Sequence, residues 1–248
     1  MTKTLIIIPS RMAATRLPGK PLLKINNISI ISHVFKRAKE ANIGEVVVAT
    51  EDQEILKDVI SNGGKGILTS GDHKTGTDRI FEAYKKLDIE SIDYVINLQG
   101  DEPDINKDDI INLNNFMINN NSEIGTLATL FQNNKMLNNK NVVKVTTEKK
   151  LEKNNFPTAL NFTRDNLSKN NQNIYHHIGI YSYKTSVLEK FVSLGQSKNE
   201  IENKLEQLRA LDNKLKINVA LAKSSPIGVD TKEDYLAIKK IMEYKLLK

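Results

Sequence analysis

Three cations follow an apolar run in residues 6–22, IIIPSRMAATRLPGKPL: Arg11, Arg16 and Lys20. An arginine can grip a phosphate through two parallel hydrogen bonds, and a lysine adds a mobile point charge. Pro18 and Gly19 restrict the backbone between them. A connection of roughly a dozen residues is long for an α/β unit, and such loops are usually functional. The stretch therefore reads as a phosphate grip rather than a solvated basic loop. It contains neither G-x-x-x-x-G-K-[ST] nor G-x-G-x-x-G, so it is neither a Walker loop nor a dinucleotide fingerprint.

Two acidic stretches complement it. In NLQGDEPDI (97–105), Asp101 directly follows an apolar run, Gly100 permits a close turn and Pro103 stiffens the exit. Mg²⁺ takes one or two carboxylates plus phosphate oxygens, so a carboxylate at a strand's carboxyl end suits it. Asp104 and Asn106 can cap the helix that follows, which leaves Asp101 spare. In SSPIGVDTKEDY (224–235), Asp230 stands just before the last helix. There a helix N-cap and a metal ligand are equally good readings, and only a second carboxylate close in space separates them.

These residues need a frame. Residues 4–8 form a continuous apolar run, as expected of a parallel strand covered on both faces. Strands are expected at 45–50, 66–69 and 94–99, alternating with helices at 31–41, 52–62, 77–87 and 106–118. Further strands are expected at 124–131, 142–147, 178–183 and 217–222, and helices at 184–194, 200–211 and 231–246. This rhythm predicts a doubly wound, mostly parallel α/β sheet with right-handed crossovers. The 248 residues fit one domain over 1–248, with a small inserted lobe near 133–195. Open sheets of this kind bind ligands at the carboxyl ends of their strands.

Hydrophobic residues make up 39% and charged ones 27%, as in a globular protein. The chain has no long apolar run and 0 Cys, so disulfides and thiolate metal sites are excluded. It reads as cytoplasmic. The net charge of +6 alone does not imply nucleic acid: no basic run is interleaved with aromatics, and aromatics are only 6%.

Six segments occur in the order of the CMP-Kdo synthetases, the 3-deoxy-manno-octulosonate (Kdo) cytidylyltransferases: residues 6–22, TSGDHKTGTDRI, NLQGDEPDI, HHIGIYSY, LEQLRAL and GVDTKED. The chain resembles that family from about residue 4 to residue 240. The resemblance implies a nucleotide-diphospho-sugar transferase-like fold, with the lobe serving substrate and dimer contacts. It also implies a homodimer and a magnesium-dependent reaction of CTP with a 3-deoxy-2-ulosonic acid, supplying lipopolysaccharide synthesis. The sugar's anomeric hydroxyl would attack the α-phosphorus and pyrophosphate would leave.

Carried over by position, Arg11 and Lys20 bind the triphosphate, with Arg16 in the same loop. Thr75 and Gly76 recognise the cytidine, and Asp101 and Asp230 hold Mg²⁺. Arg11, Lys20 and Asp101 form the catalytic group. Gln99, Arg164, His177, Glu206 and Gln207 surround the sugar acid; Arg164 reads equally well as the counter-ion of its carboxylate and as a member of a surface ion pair. His177 is the candidate general base if there is one; otherwise it is a satisfied polar group on a strand, with His176 on the opposite face. Glu206 and Gln207 diverge by about 100° on an unbroken helix, so a bend or a helix end is needed for both to face one ligand.

The chain departs from the family pattern at two places. Pro9-Ser10-Arg11 replaces Pro-Ala-Arg, a small-for-small change. After Arg164 the family continues with an Ile-Pro-Trp-like segment and a longer loop, whereas this chain has the short DNLSKNNQNIY and 0 Trp. An 8-amino analogue of Kdo, a nonulosonic acid, or CTP binding without catalysis stay open as alternatives.

Overall fold

The isoleucine run forms β1 (Thr4–Ser10), and Leu5, Ile6, Ile7 and Ile8 are fully buried in the computed structural model. The structure describes residues 2–13, 16–89, 91–166 and 173–245. A small hairpin, β2 (Lys24–Ile25) and β3 (Ile28–Ser29), precedes α1 (Ile30–Glu40). Ser29 caps that helix by accepting from the Ser32 amide. The alternation continues through β4 (Gly44–Thr50), α2 (Gln53–Ser61), β5 (Gly66–Leu68), α3 (Gly76–Leu87), β6 (Tyr94–Asn97) and α4 (Lys107–Asn120). The second half comprises β7 (Ile124–Thr129), α5 (Asn134–Leu137), β8 (Lys144–Thr147), β9 (Ala159–Thr163) and β10 (Ile174–Lys184). It ends with α6 (Thr185–Ser193), α7 (Lys198–Asn203), α8 (Leu208–Asp212), β11 (Ile217–Leu221) and α9 (Lys232–Lys245).

The main sheet runs β11-β7-β10-β6-β1-β4-β5. β1 pairs in parallel with β4 and β6, β4 with β5, and β7 with β11. The long β10 lies antiparallel between β6 and β7, so the sheet is mixed at that point. Helices cover both faces, as a doubly wound sheet requires. One core gathers α1, α2 and α4 through Ile31, Phe35, Ile55, Val59, Ile110 and Met117. The other gathers α3 and α6 through Ile80, Ala83, Leu188 and Phe191. β8 and β9 extend the sheet from the first part of β10, forming an arm whose outer strand exposes Leu160. No described helix is long and apolar enough to cross a membrane.

Two expectations need correction. Residues 200–211 are not one helix: α7 ends where Lys204 turns left-handed (φ 53), and α8 starts only at Leu208. β9 was not expected, because its burial alternates only partly, with Leu160 and Asn161 both exposed. Residues 167–172, in the shortened segment after Arg164, and residue 246 lie outside the described residues.

The break at Lys204 is held by a buried ion pair. Ser197 and Glu200 form a capping box at the start of α7. Arg209 Nε and an Nη donate to the two Glu200 oxygens at 2.8 and 2.6 Å, and the guanidinium lies 4.7 Å over the Phe191 ring. Both residues are at most 3% exposed. Burial alone would raise the Glu200 carboxyl, but Arg209 and Gln196 hold it below its ordinary range. Arg209→Met would leave Glu200 buried and unpaired, at a cost of about 3–5 kcal/mol. Urea denaturation checks this. Pairing the change with Glu200→Gln should restore most of the loss, and a single variant as stable as wild type would contradict the reading.

Candidate active site

The carboxyl ends of β1 and β6 open onto a cavity of about 360 Å³. Arg11, Arg16, Lys20, Thr75, Gly76 and Asp101 all line it. After β1, the Met12 amide donates to Asp52 Oδ2 at 2.7 Å, tying the basic loop to the start of α2. Gly19 adopts φ 70, a conformation that favours glycine, and turns Lys20 back toward the sheet. The Lys20 ammonium then donates to Asp101 Oδ2 at 2.8 Å and to Asp230 Oδ1 at 3.3 Å. Arg16 pairs with the other Asp230 oxygen at 2.9 Å. Two carboxylates 129 positions apart in the chain thus converge on one cation.

Backbone geometry explains the convergence. A Cβ on Gly100 would lie 2.9 Å from the Pro9 carbonyl oxygen and 3.1 Å from Ile31 Cδ1, so only glycine lets Asp101 approach β1 this closely. The Val229 amide donates to the Asp101 carbonyl at 2.9 Å, locking the two acidic segments together. Asp230 is not the cap of α9. Thr231 and Asp234 cap it instead: the Thr231 amide donates to Asp234 Oδ2 at 2.8 Å and the Asp234 amide to Thr231 Oγ1 at 3.2 Å. The Asp230 carboxylate is left for the cations.

Thr75 caps α3 by accepting from the Asp78 amide at 3.2 Å, and Gly76 begins the helix against Pro9. Glu82 pins the loop before it. Its two oxygens accept from the Ser70 amide at 3.1 and 3.0 Å, and it also bonds the His73 ring and pairs with Lys86. Burial opposes ionisation, yet Lys86 and His73 bring the Glu82 carboxyl down to about 2. Arg79, 3% exposed, bonds Thr69 Oγ1 at 2.6 Å and also pairs with Glu51. Sequence reasoning missed His73, Arg79 and Glu82; the density of polar residues in TSGDHKTGTDR was the available signal for the first two.

A second cavity of about 620 Å³ adjoins the first, and Arg16, Gln99, Asp101 and Asp230 line both. Gln99, Arg164, His177, Glu206 and Gln207 all line this second cavity. The helix break between α7 and α8 lets Glu206 and Gln207 face it together. Arg164 donates to the Asn141 carbonyl at 2.9 Å, leaving further N–H groups of its fork. Three side-chain atoms in the wall, Glu102 Oε2, Tyr181 Oη and Glu206 Oε1, are buried without a hydrogen-bond partner. Buried polar atoms are normally satisfied, so such a cluster has the hydrogen-bonding capacity to receive a polar group. Burial pushes the Glu206 carboxyl above its ordinary range. Tyr181 was not anticipated; it falls in HHIGIYSY, where only the histidines drew attention.

His177 is buried at 8% exposure, its Nε2 lies 3.0 Å from Thr126 Oγ1, and its ring meets the edge of Phe162. Burial, then His176 and Arg164, bring it down to about 3. It is neutral at any working pH and too weak a base to take a proton efficiently. His176 has other neighbours, stacking on Phe131 and bonding Ser225.

A doubly wound sheet with cations on its first loop, and two carboxylates between adjoining polar cavities, defines a nucleotidyltransferase. A cytidylyltransferase family model matches residues 5–217. The 3-deoxy-manno-octulosonate cytidylyltransferase of Rhodopseudomonas palustris (strain BisB5) is 46% identical over 232 residues, covering 93% of this chain and 94% of that protein. The enzyme of the same name from Brucella suis is 44% identical over 233 residues, covering 94% and 92%. The solved CMP:2-keto-3-deoxy-manno-octonic acid synthetase complexed with CTP superposes with TM-score 0.89 at 34% identity, covering 98% of this chain and 100% of that one. The 4-diphosphocytidyl-2C-methyl-D-erythritol synthase of Anaerococcus prevotii shares the fold, with TM-score 0.65 at 14% identity, over 98% and 99%. The chain belongs to the 3-deoxy-manno-octulosonate cytidylyltransferases.

Proposed function

We propose that the protein transfers CMP from CTP to the anomeric hydroxyl of Kdo, releasing pyrophosphate, in the cytoplasm and for lipopolysaccharide synthesis. The observation that carries this reading is the meeting of two polar cavities at Asp101 and Asp230. CTP occupies the first, with its triphosphate against Arg11, Arg16 and Lys20 and its cytidine against Thr75 and Gly76. The sugar acid occupies the second, with its carboxylate on Arg164 and its hydroxyls meeting Gln99, Glu206 and Gln207, beside His177. The anomeric oxygen then faces the α-phosphorus across the shared wall. Arg11 and Lys20 neutralise charge that accumulates on the phosphates and the leaving pyrophosphate, which is the main need of phosphoryl transfer.

Mg²⁺ fits the donor set, because two hard carboxylate groups already converge on one cationic point. Asp101 and Asp230 would hold it, and when bound it supplies Lewis-acid stabilisation and lowers the pKa of a coordinated hydroxyl. No separate general base is then needed, in keeping with the weak basicity of His177. A homodimer through the β8–β9 arm would cover Leu160, which is 62% exposed.

The test is a phosphorus NMR time course with CTP, MgCl₂ and Kdo. A new phosphodiester resonance with equimolar pyrophosphate is expected, and it should not form when UTP replaces CTP. Product only with 8-amino-Kdo would move the specificity to that analogue. No product with either sugar would overturn the reading.

A further inference from the structure

Lys144 is fully buried, yet no described carboxylate forms an ion pair with it. It sits at the start of β8, the middle strand of the arm, opposite Thr163 of β9 and His176 of β10. A strand position flanked on both sides would more cheaply hold an apolar residue, since a buried ammonium loses its hydration. Its Nζ instead donates to two backbone carbonyls, Asn139 and Arg164, each at 2.8 Å. Arg164 in turn donates from its guanidinium to the Asn141 carbonyl at 2.9 Å. These three bonds stitch residues 139–141 to the end of β9, and Asn139, Asn141 and Arg164 all line the second cavity.

We propose that Lys144 is a positioning residue for sugar-acid recognition: its buried ammonium fixes the Arg164 backbone and the facing Asn139–Asn141 segment, aiming the Arg164 guanidinium at the substrate carboxylate. The proposal rests on the reading of Arg164 as the carboxylate's counter-ion. Lys144 touches no part of the ligand and acts only through Arg164. Burial also lowers the ease with which Lys144 carries its charge, with Asp165 favouring and Arg164 opposing it, so the site retains a cation there against an energetic penalty. A lysine kept for packing alone would not need its ammonium on these carbonyls.

A double-mutant cycle separates the roles. Lys144→Met keeps an unbranched apolar stem, one atom shorter, and removes the charge and donors. It should lower kcat/KM for Kdo by about 10- to 100-fold, the scale of a slightly misplaced binding group, with KM for CTP unchanged. Arg164→Ala should lower kcat/KM for Kdo at least as far. Adding Lys144→Met to Arg164→Ala should then cause little further loss. Full additivity would overturn the positioning role and leave a structural one. An inert Lys144→Met beside an impaired Arg164→Ala would overturn the proposal alone. An inert Arg164→Ala would overturn both it and the carboxylate reading. Where Lys144→Met fails to fold, Lys144→Gln, which removes the charge and carries two N–H donors on a shorter stem, takes its place in the same cycle.

Discussion

Asp101→Asn is expected to lower turnover by about 10³-fold or more, the scale of losing preorganised electrostatic stabilisation of a transition state. The substitution keeps the shape of the side chain and removes the charge that a bound metal ion needs. The fold should persist. The Asp101 carbonyl still accepts from the Val229 amide, and Lys20 still has Asp230 at 3.3 Å. Unchanged urea denaturation beside collapsed pyrophosphate release is the expected pair of results. A variant with near-wild-type turnover would remove Asp101 from the reaction.

Lys20→Ala should lower kcat/KM for CTP by about 10²–10³-fold, because the proposed triphosphate site would lose a cation that offsets charge on the leaving pyrophosphate. In the free protein that ammonium is also the bridge between Asp101 and Asp230, whose side chains are 30% and 48% exposed. Solvent screening at such exposure limits the effect on stability to about 1 kcal/mol or less. The activity loss should therefore far exceed the stability loss, and Lys20→Arg should recover only part, because its planar fork does not reproduce a compact ammonium. An unchanged response to CTP would mean that the opening loop serves another ligand.

That the basic loop would face a cavity was legible because residue types and backbone breakers coincide: Arg11, Arg16 and Lys20 with Pro18 and Gly19. Gly100 was legible for the same reason, and the steric wall of Pro9 and Ile31 bears it out. Asp230 was ambiguous, since Asp before a helix is an ordinary cap. Only the Thr231–Asp234 capping pair and the Val229–Asp101 bond free it, and both are facts of three dimensions. The antiparallel course of β10 is a matter of pairing, which an apolar run does not encode. The break at Lys204 hides because lysine is a helix former; in the structure its amide closes on the Glu200 carbonyl in a left-handed cap, and the Arg209–Glu200 pair ties α8 to α7 across it. Lys144 and Arg209 read as surface charge in any pattern, since burial of a cation depends on partners distant in the chain. The residues assigned to the sugar came from the resemblance; the break between α7 and α8 supplies the physical reason that Glu206 and Gln207 share one cavity.

The account turns on the cation position between the two cavities. Electron paramagnetic resonance of Mn²⁺, as a stand-in for Mg²⁺, titrated into the protein with CTP present, tests it most directly. Wild-type protein with CTP should bind Mn²⁺ more tightly than CTP alone does, and the Asp101→Asn/Asp230→Asn double variant should lose that gain. Undiminished tight binding by the double variant would place the metal elsewhere and contradict the site described here.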